Sequence, residues 1–194
     1  MTLMQDVLQN SVSGISLTQV PENLNILATQ DCAAAIWHRR PLPDFQAWID
    51  RFELRPCYRT LGYFTPVRER GTKWDNIDAI IQTIIRQLQL SGYMSLRLEP
   101  ITSNACRKLH IDAITARLVC TYRGTGTQYG ISQDGAEPEC IFTVPTGTPI
   151  LLRGTLWPEQ PRSGLLHRSP PIEGSGKTRL VLVLDPTFDL EEET

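Results

Sequence analysis

From residue 93 onward the chain breaks into short apolar or alternating segments separated by Gly, Pro, Thr and Ser, and this punctuation limits the possible folds most severely. Eight segments have the length and residue types of strands: about 94–99, 106–112, 115–122, 127–131, 139–144, 149–154, 164–168 and 178–185. Eight short strands with turn signals between them suit two sheets wound as a jelly roll. The expected fold class is mainly β with N-terminal helices (α+β): a cupin-like double-stranded β-helix, or jelly roll, packed with helices on one face. At 194 residues and 41% hydrophobic, the chain has material for one core, so 1–194 reads as a single domain. Its parts are a largely helical lead-in over 1–92 that packs on the sheet, the eight-stranded core over 93–186, and an acidic tail over 187–194.

The lead-in is read from helical periodicity. Ile77, Ile80, Ile81, Ile84, Ile85 and Leu88 form an i, i+3, i+4, i+7 stripe opened by Asp75 and closed before Gly92. A second helix is expected from about Pro43 to Leu54, with Phe45, Trp48, Ile49 and Phe52 on its buried face. A shorter helix follows Asp31 through Ala33, Ala34, Ala35 and Trp37, and Asn23 to Ala28 reads as one strand. The first twenty residues are weakly patterned.

The chain has three histidines, and two of them stand in a pattern with chemical meaning. His110 and Asp112 form H-x-D at the end of the second expected strand, His167 lies on the seventh, and Arg179 opens the eighth. Residues i and i+2 of a strand point to one side, so His110 and Asp112 share a face while Ile111 takes the other. Two imidazoles and a carboxylate are the facial triad that holds non-haem Fe(II) and leaves three coordination positions open. Arg179 could then hold a carboxylate. The competing readings are hydrogen-bonded core histidines, an Asp112 that caps the turn before Ala113 and Ile114, and an Arg179 that merely begins a buried strand at the surface.

The order H-x-D, a long gap, a distal His and an Arg about a dozen residues later resembles the iron- and 2-oxoglutarate-dependent dioxygenases. The segments GTPILLRGTLWP before Leu166-His167, and HRSPPIEGSGKTR after, resemble the same superfamily, and the likeness covers roughly residues 94–186. It implies that His110, Asp112 and His167 bind Fe(II), with no catalytic residue beyond the metal ligands. It further implies that 2-oxoglutarate chelates the metal while the planar fork of Arg179 pairs with its distant carboxylate. The implied activity is oxidoreductase chemistry, the hydroxylation of a small molecule or a protein side chain. Thr121 and Tyr122, at the end of the third strand, become candidate cosubstrate hydroxyls, with Arg117 as a reserve anion binder. One departure stands out: a Ser or Thr often follows the superfamily arginine by two residues, and here the run is Arg179-Leu180-Val181.

CRKLHIDAITARLVCTYRGTGTQYG and LLHRSPPIEGSGKTRLVLVLD also resemble a bacterial family described only as a domain of unknown function, over most of the chain. That resemblance carries an association with zinc homeostasis and makes Zn(II) the alternative metal. The alternative function is then a non-oxidative zinc-binding jelly-roll protein in metal homeostasis or sensing; two His, one Asp and a water also suit zinc.

Other function classes find little support. A formal net charge of −2 and a pI near 5.9 give no broad basic surface, so neither nucleic acid nor an anionic membrane is expected as a partner. The start MTLMQDVLQN lacks the form of a signal peptide, and a cytoplasmic location is the default. Five cysteines without C-x-x-C fit neither a disulfide framework nor a zinc finger; Cys106 and Cys120 flank H-x-D, but small apolar filler is the favoured reading. GSGKT over 174–178 mimics the end of a phosphate loop, yet Pro171 stands where Gly is required and a strand follows instead of a helix. No G-x-S-x-G nucleophile elbow exists.

Overall fold

The computed structural model describes residues 14–39, 45–51, 57–61, 93–132, 136–158 and 163–187. They contain β1 (Ile15–Thr18), β2 (Ala34–Trp37), β3 (Cys57–Leu61), β4 (Tyr93–Ile101), β5 (Ala116–Arg123), β6 (Gln128–Ile131), β7 (Phe142–Thr143), β8 (Pro149–Arg153), β9 (Leu165–Arg168) and β10 (Arg179–Thr187). A 3-10 helix spans Pro21–Ala28 and an α-helix, α1, spans Phe45–Arg51. The strands form a seven-stranded sheet in the order β1-β2-β8-β5-β10-β4-β3 and a three-stranded sheet in the order β7-β6-β9. The fold is a jelly roll, mostly β with few helices.

Both faces of the large sheet are covered, which is why β5, β8 and β10 read as almost continuous apolar runs. On one face Leu118, Cys120, Tyr122, Leu180, Leu182 and Leu184 pack with Leu24 and Leu27 of the 3-10 helix and Ile49 of α1. The alternate residues, including Val119, Val181, Ile150 and Leu152, pack with Val144 and with Leu165 of the small sheet. Truncating one of these fully buried leucines to Ala costs about 2–5 kcal/mol. The two-residue period also sends Arg117 and Thr121 of β5, and Arg179 and Asp185 of β10, toward the space between the sheets.

Seven of the eight expected core strands are present as β4 to β10. The segment 106–112 is not a strand: its backbone meets the small sheet at an isolated bridge between His110 and His167. Asn104 Oδ1 accepts from the backbone N–H groups of Ile172 and Glu173 at 2.7 and 2.9 Å, and the Cys106 carbonyl accepts from Ser169 N–H at 2.8 Å. These bonds pin the segment to the loop after β9 and leave its backbone no ladder to join.

The lead-in differs more. Asn23 to Ala28 belongs to a 3-10 helix because Pro21 stands in its first turn, and three residues per turn place Leu24 and Leu27 on one buried face. Ala34 to Trp37 is strand β2, not a helix: it is paired on both sides, with β1 in parallel and β8 antiparallel, and a run buried on both faces has no strand periodicity to read. α1 confirms the helix within 43–54, with Ile49 fully buried. The stripe Ile77 to Leu88, Phe52 and the acidic tail lie outside the described residues. No helix among the described residues is long and apolar enough to cross a membrane.

Candidate metal centre

His110 and His167 exchange both backbone hydrogen bonds, N–H to carbonyl at 3.0 and 2.9 Å, which sets their imidazoles side by side with ring centroids 4.6 Å apart. The Lys108 carbonyl lies 2.8 Å from His110 Nδ1. A carbonyl only accepts, so Nδ1 carries the proton and Nε2 presents a lone pair.

Asp112 is placed by the turn after β8. Its carbonyl accepts from Thr155 N–H at 2.9 Å, while Gly154 N–H donates to the Thr115 carbonyl at 2.9 Å. Only glycine fits at 154, since a Cβ there would stand 1.9 Å from the Ile114 carbonyl oxygen and 2.8 Å from that of Asp112. The side chain of Asp112 then meets both histidines: Oδ2 is 3.0 Å from His167 Nε2, and Oδ1 is 3.4 Å from His110 Nε2.

These residues fit a divalent metal. Asp112 Oδ2 is buried, with His167 Nε2 3.0 Å away. Two ligands at right angles, each about 2.1 Å from a metal, stand roughly 3 Å apart. One ligand atom from each of His110, Asp112 and His167 lies within 4.8 Å of the others, and neither Cys106 nor Cys120 joins the group. Burial raises the Asp112 carboxyl, but His167, Arg117 and His110 together outweigh it and hold the group below its ordinary value, ionised at neutral pH. The thiol of Cys120 is wholly buried on the far face of β5 and is pushed up to about 11, as befits apolar filler.

Arg179 is buried at 1% exposure, and every hydrogen bond it makes goes to a neutral oxygen. Nε donates to the Thr125 carbonyl at 2.7 Å, one terminal nitrogen to Ser169 Oγ at 3.2 Å, and the other to Thr121 Oγ1 at 3.0 Å and Thr127 Oγ1 at 3.5 Å. Desolvation pushes its pKa down to about 10, so it remains cationic at neutral pH. No carboxylate among the described residues pairs with it. A buried charge normally has a counter-ion, and none of the partners of Arg179 among the described residues supplies one.

The sequence-selected residues thus separate. His110, Asp112 and His167 converge, and Thr121 meets Arg179. Tyr122 does not join them: adjacent strand residues face opposite sides, and its ring packs among Leu180 and Leu182 under the Arg39 guanidinium. Arg117 is no free anion binder either, because it pairs with Asp112 and Asp185. Three residues were missed. Ser169 and Thr127 offer Arg179 the hydroxyls that Val181 lacks. Tyr129 is the register partner of His167, so the two side chains share a face; the tyrosine stacks on Phe142 at 5.6 Å. Its place at i+2 from Thr127 was a legible signal, but only with strand pairing known.

A family model described as "Protein of unknown function (DUF1826)" matches residues 18–185. No curated protein matches the chain. Among solved structures, a prolyl-4-hydroxylase from Pseudomonas putida is 16% identical with a TM-score of 0.50, over 86% of this chain and 98% of that one. An oxidoreductase of the 2OG-Fe(II) oxygenase family from Burkholderia pseudomallei is 13% identical with a TM-score of 0.43, over 79% of this chain and 83% of that one. The Pseudomonas putida likeness shows a shared fold. Since the family match spans most of the sequence, the chain belongs to the DUF1826 family of proteins of unknown function, carried on a jelly-roll fold.

Proposed function

We propose that this protein is an Fe(II)- and 2-oxoglutarate-dependent oxygenase that hydroxylates a small molecule or a protein side chain. His110, Asp112 and His167 would hold the metal, and Arg179 would pair with the distal carboxylate of 2-oxoglutarate. The observation that carries this reading is the burial of Arg179 with no carboxylate partner among the described residues, on the same inter-sheet side as the three candidate ligands. The Pseudomonas putida protein that shares the fold is a prolyl-4-hydroxylase, and the reaction class is carried over from it.

Bound iron would supply the oxidation, in which O2 and 2-oxoglutarate yield succinate, carbon dioxide and the hydroxylated product. The protein's part is placement. His110 is fixed in one tautomer by Lys108, and Asp112 is fixed at its backbone by Thr155. The guanidinium of Arg179 is oriented by Thr121, Thr125 and Ser169, which hold its position between the sheets. Tyr129 stands opposite His167 in the small sheet on the same face, and its hydroxyl would be a further donor to the cosubstrate.

The donor set also suits zinc with a water ligand, as in a metal-handling protein. That reading gives buried, cationic Arg179 no task, and the oxygenase reading is preferred for this reason. Anaerobic calorimetry decides between them: 2-oxoglutarate should bind the Fe(II)-loaded protein and fail to bind metal-free protein. No binding in either state would overturn the proposal.

A further inference from the structure

The two oxygens of Asp112 have different surroundings. Oδ2 is the buried atom beside His167, whereas Oδ1 forms an ion pair with Arg117 NH1 at 2.7 Å. Arg117 is itself held: its Nε and NH2 donate to the two oxygens of Asp185 at 2.6 and 2.8 Å, a fork-to-fork pair. Arg97, on β4, donates to the same carboxylate at 3.0 Å. The chain Arg97, Asp185, Arg117, Asp112 therefore runs across three neighbouring strands, β4, β10 and β5, and ends on a candidate metal ligand.

Resting on the metal reading of the triad, we propose that Arg117, backed by Asp185, is a positioning residue that keeps Asp112 a one-oxygen ligand and so keeps three coordination positions open. A carboxylate with both oxygens free can turn and chelate, which would close one of the positions that a chelating cosubstrate and O2 need. The close ion pair with Arg117 holds Oδ1 and opposes that rotation. Charge bookkeeping supports a positioning role. A bare guanidinium beside the site would repel a divalent cation, but the two arginines and two aspartates of the chain have formal charges that cancel. What Arg117 contributes is thus orientation, without a large electrostatic penalty on the metal.

Mn(II) is a suitable probe because its free ion is counted by paramagnetic resonance, and its bound waters are counted by water-proton relaxation. The proteins compared are the wild type, Arg117→Met, Arg117→Lys, Asp185→Asn and the double variant Arg117→Met/Asp185→Asn. Arg117→Met should bind Mn(II) roughly ten- to a hundred-fold more weakly. Its relaxivity per bound ion should fall by about a third, as one of three open positions closes. Arg117→Lys should recover part of the affinity, since lysine keeps the charge but lacks the fork. Asp185→Asn should weaken binding by itself, yet add nothing to Arg117→Met, because it acts only through the arginine. Thermal melts of the metal-free proteins report folding separately. A loss of melting temperature with unchanged affinity and relaxivity would overturn the inference, as would additive effects in the double variant. A wild type that binds no divalent metal would instead overturn the metal reading, and this inference with it.

Discussion

Asp112 Oδ2 and His167 Nε2 stand 3.0 Å apart, in a site where one further imidazole nitrogen lies within reach. A largely buried carboxylate set between two imidazoles is stabilised by positive charge, which a divalent cation would supply. The site's three donors are therefore expected to act as one unit. His110→Ala should lower divalent-metal affinity by more than about a hundred-fold, beyond the effect expected of an outer residue. Because the side chain of His110 is 32% exposed, the melting temperature of metal-free protein should change little. Metal content after dialysis, together with a thermal melt, checks both halves.

Gly154 supports the same unit from a distance. Gly154→Ala forces its new Cβ against the carbonyls of Ile114 and Asp112, and the backbone that carries the ligand must shift. The variant should lose about 1–3 kcal/mol of stability and bind metal more weakly than wild type. Chemical denaturation and a metal titration on the same sample would test this.

Arg179→Lys keeps a positive charge and removes the fork. Losing a charge-assisted hydrogen bond of about 1.5–3 kcal/mol should weaken 2-oxoglutarate binding by roughly ten- to a hundred-fold while metal affinity stays at its wild-type value. Calorimetry on metal-loaded protein separates the two constants.

The lowered pKa of Arg179 has its own consequence. A cation whose folded pKa is depressed to about 10 costs stability at neutral pH, and that cost is lifted only as pH rises past this value toward the unfolded one. An anion that pairs with the arginine offsets the cost. In metal-loaded protein, 2-oxoglutarate at a hundred times its Kd should add about 2.7 kcal/mol of stability. Its affinity should hold from neutral pH to about 10 and fall above, where free Arg179 loses its proton.

The two tyrosines should separate cleanly. Tyr129→Phe removes a hydroxyl on the side of His167 and should weaken 2-oxoglutarate binding about three- to ten-fold, as loss of one hydrogen bond requires. Tyr122→Phe lies on the other face of β5 and should leave that affinity unchanged.

How much of this was legible in the sequence depended on range. Strands β5, β8, β9 and β10 announced themselves through apolar runs bounded by Gly and Pro, and the two histidines and Asp112 through residue type and order. The spacing argument for H-x-D put His110 and Asp112 together for an incomplete reason, since segment 106–112 is a pinned loop, not a strand. Arg117 and Asp185 are 68 residues apart, and nothing local predicts their pairing. Tyr122 was selected because the facing of β5 cannot be fixed without its neighbours, and Tyr129 carried no local signal. The pieces that failed earliest, β2 and the 3-10 helix, are short and obtain their shape from the sheet beside them and from Pro21.

The most direct test of the whole account is an anaerobic spectrum of the Fe(II)-loaded protein with 2-oxoglutarate. A weak visible charge-transfer band should form in the wild type and be absent from both His110→Ala and Arg179→Ala. A wild type that takes up Fe(II) but shows neither the band nor calorimetric binding of 2-oxoglutarate would contradict the oxygenase account and leave a metal-binding jelly roll.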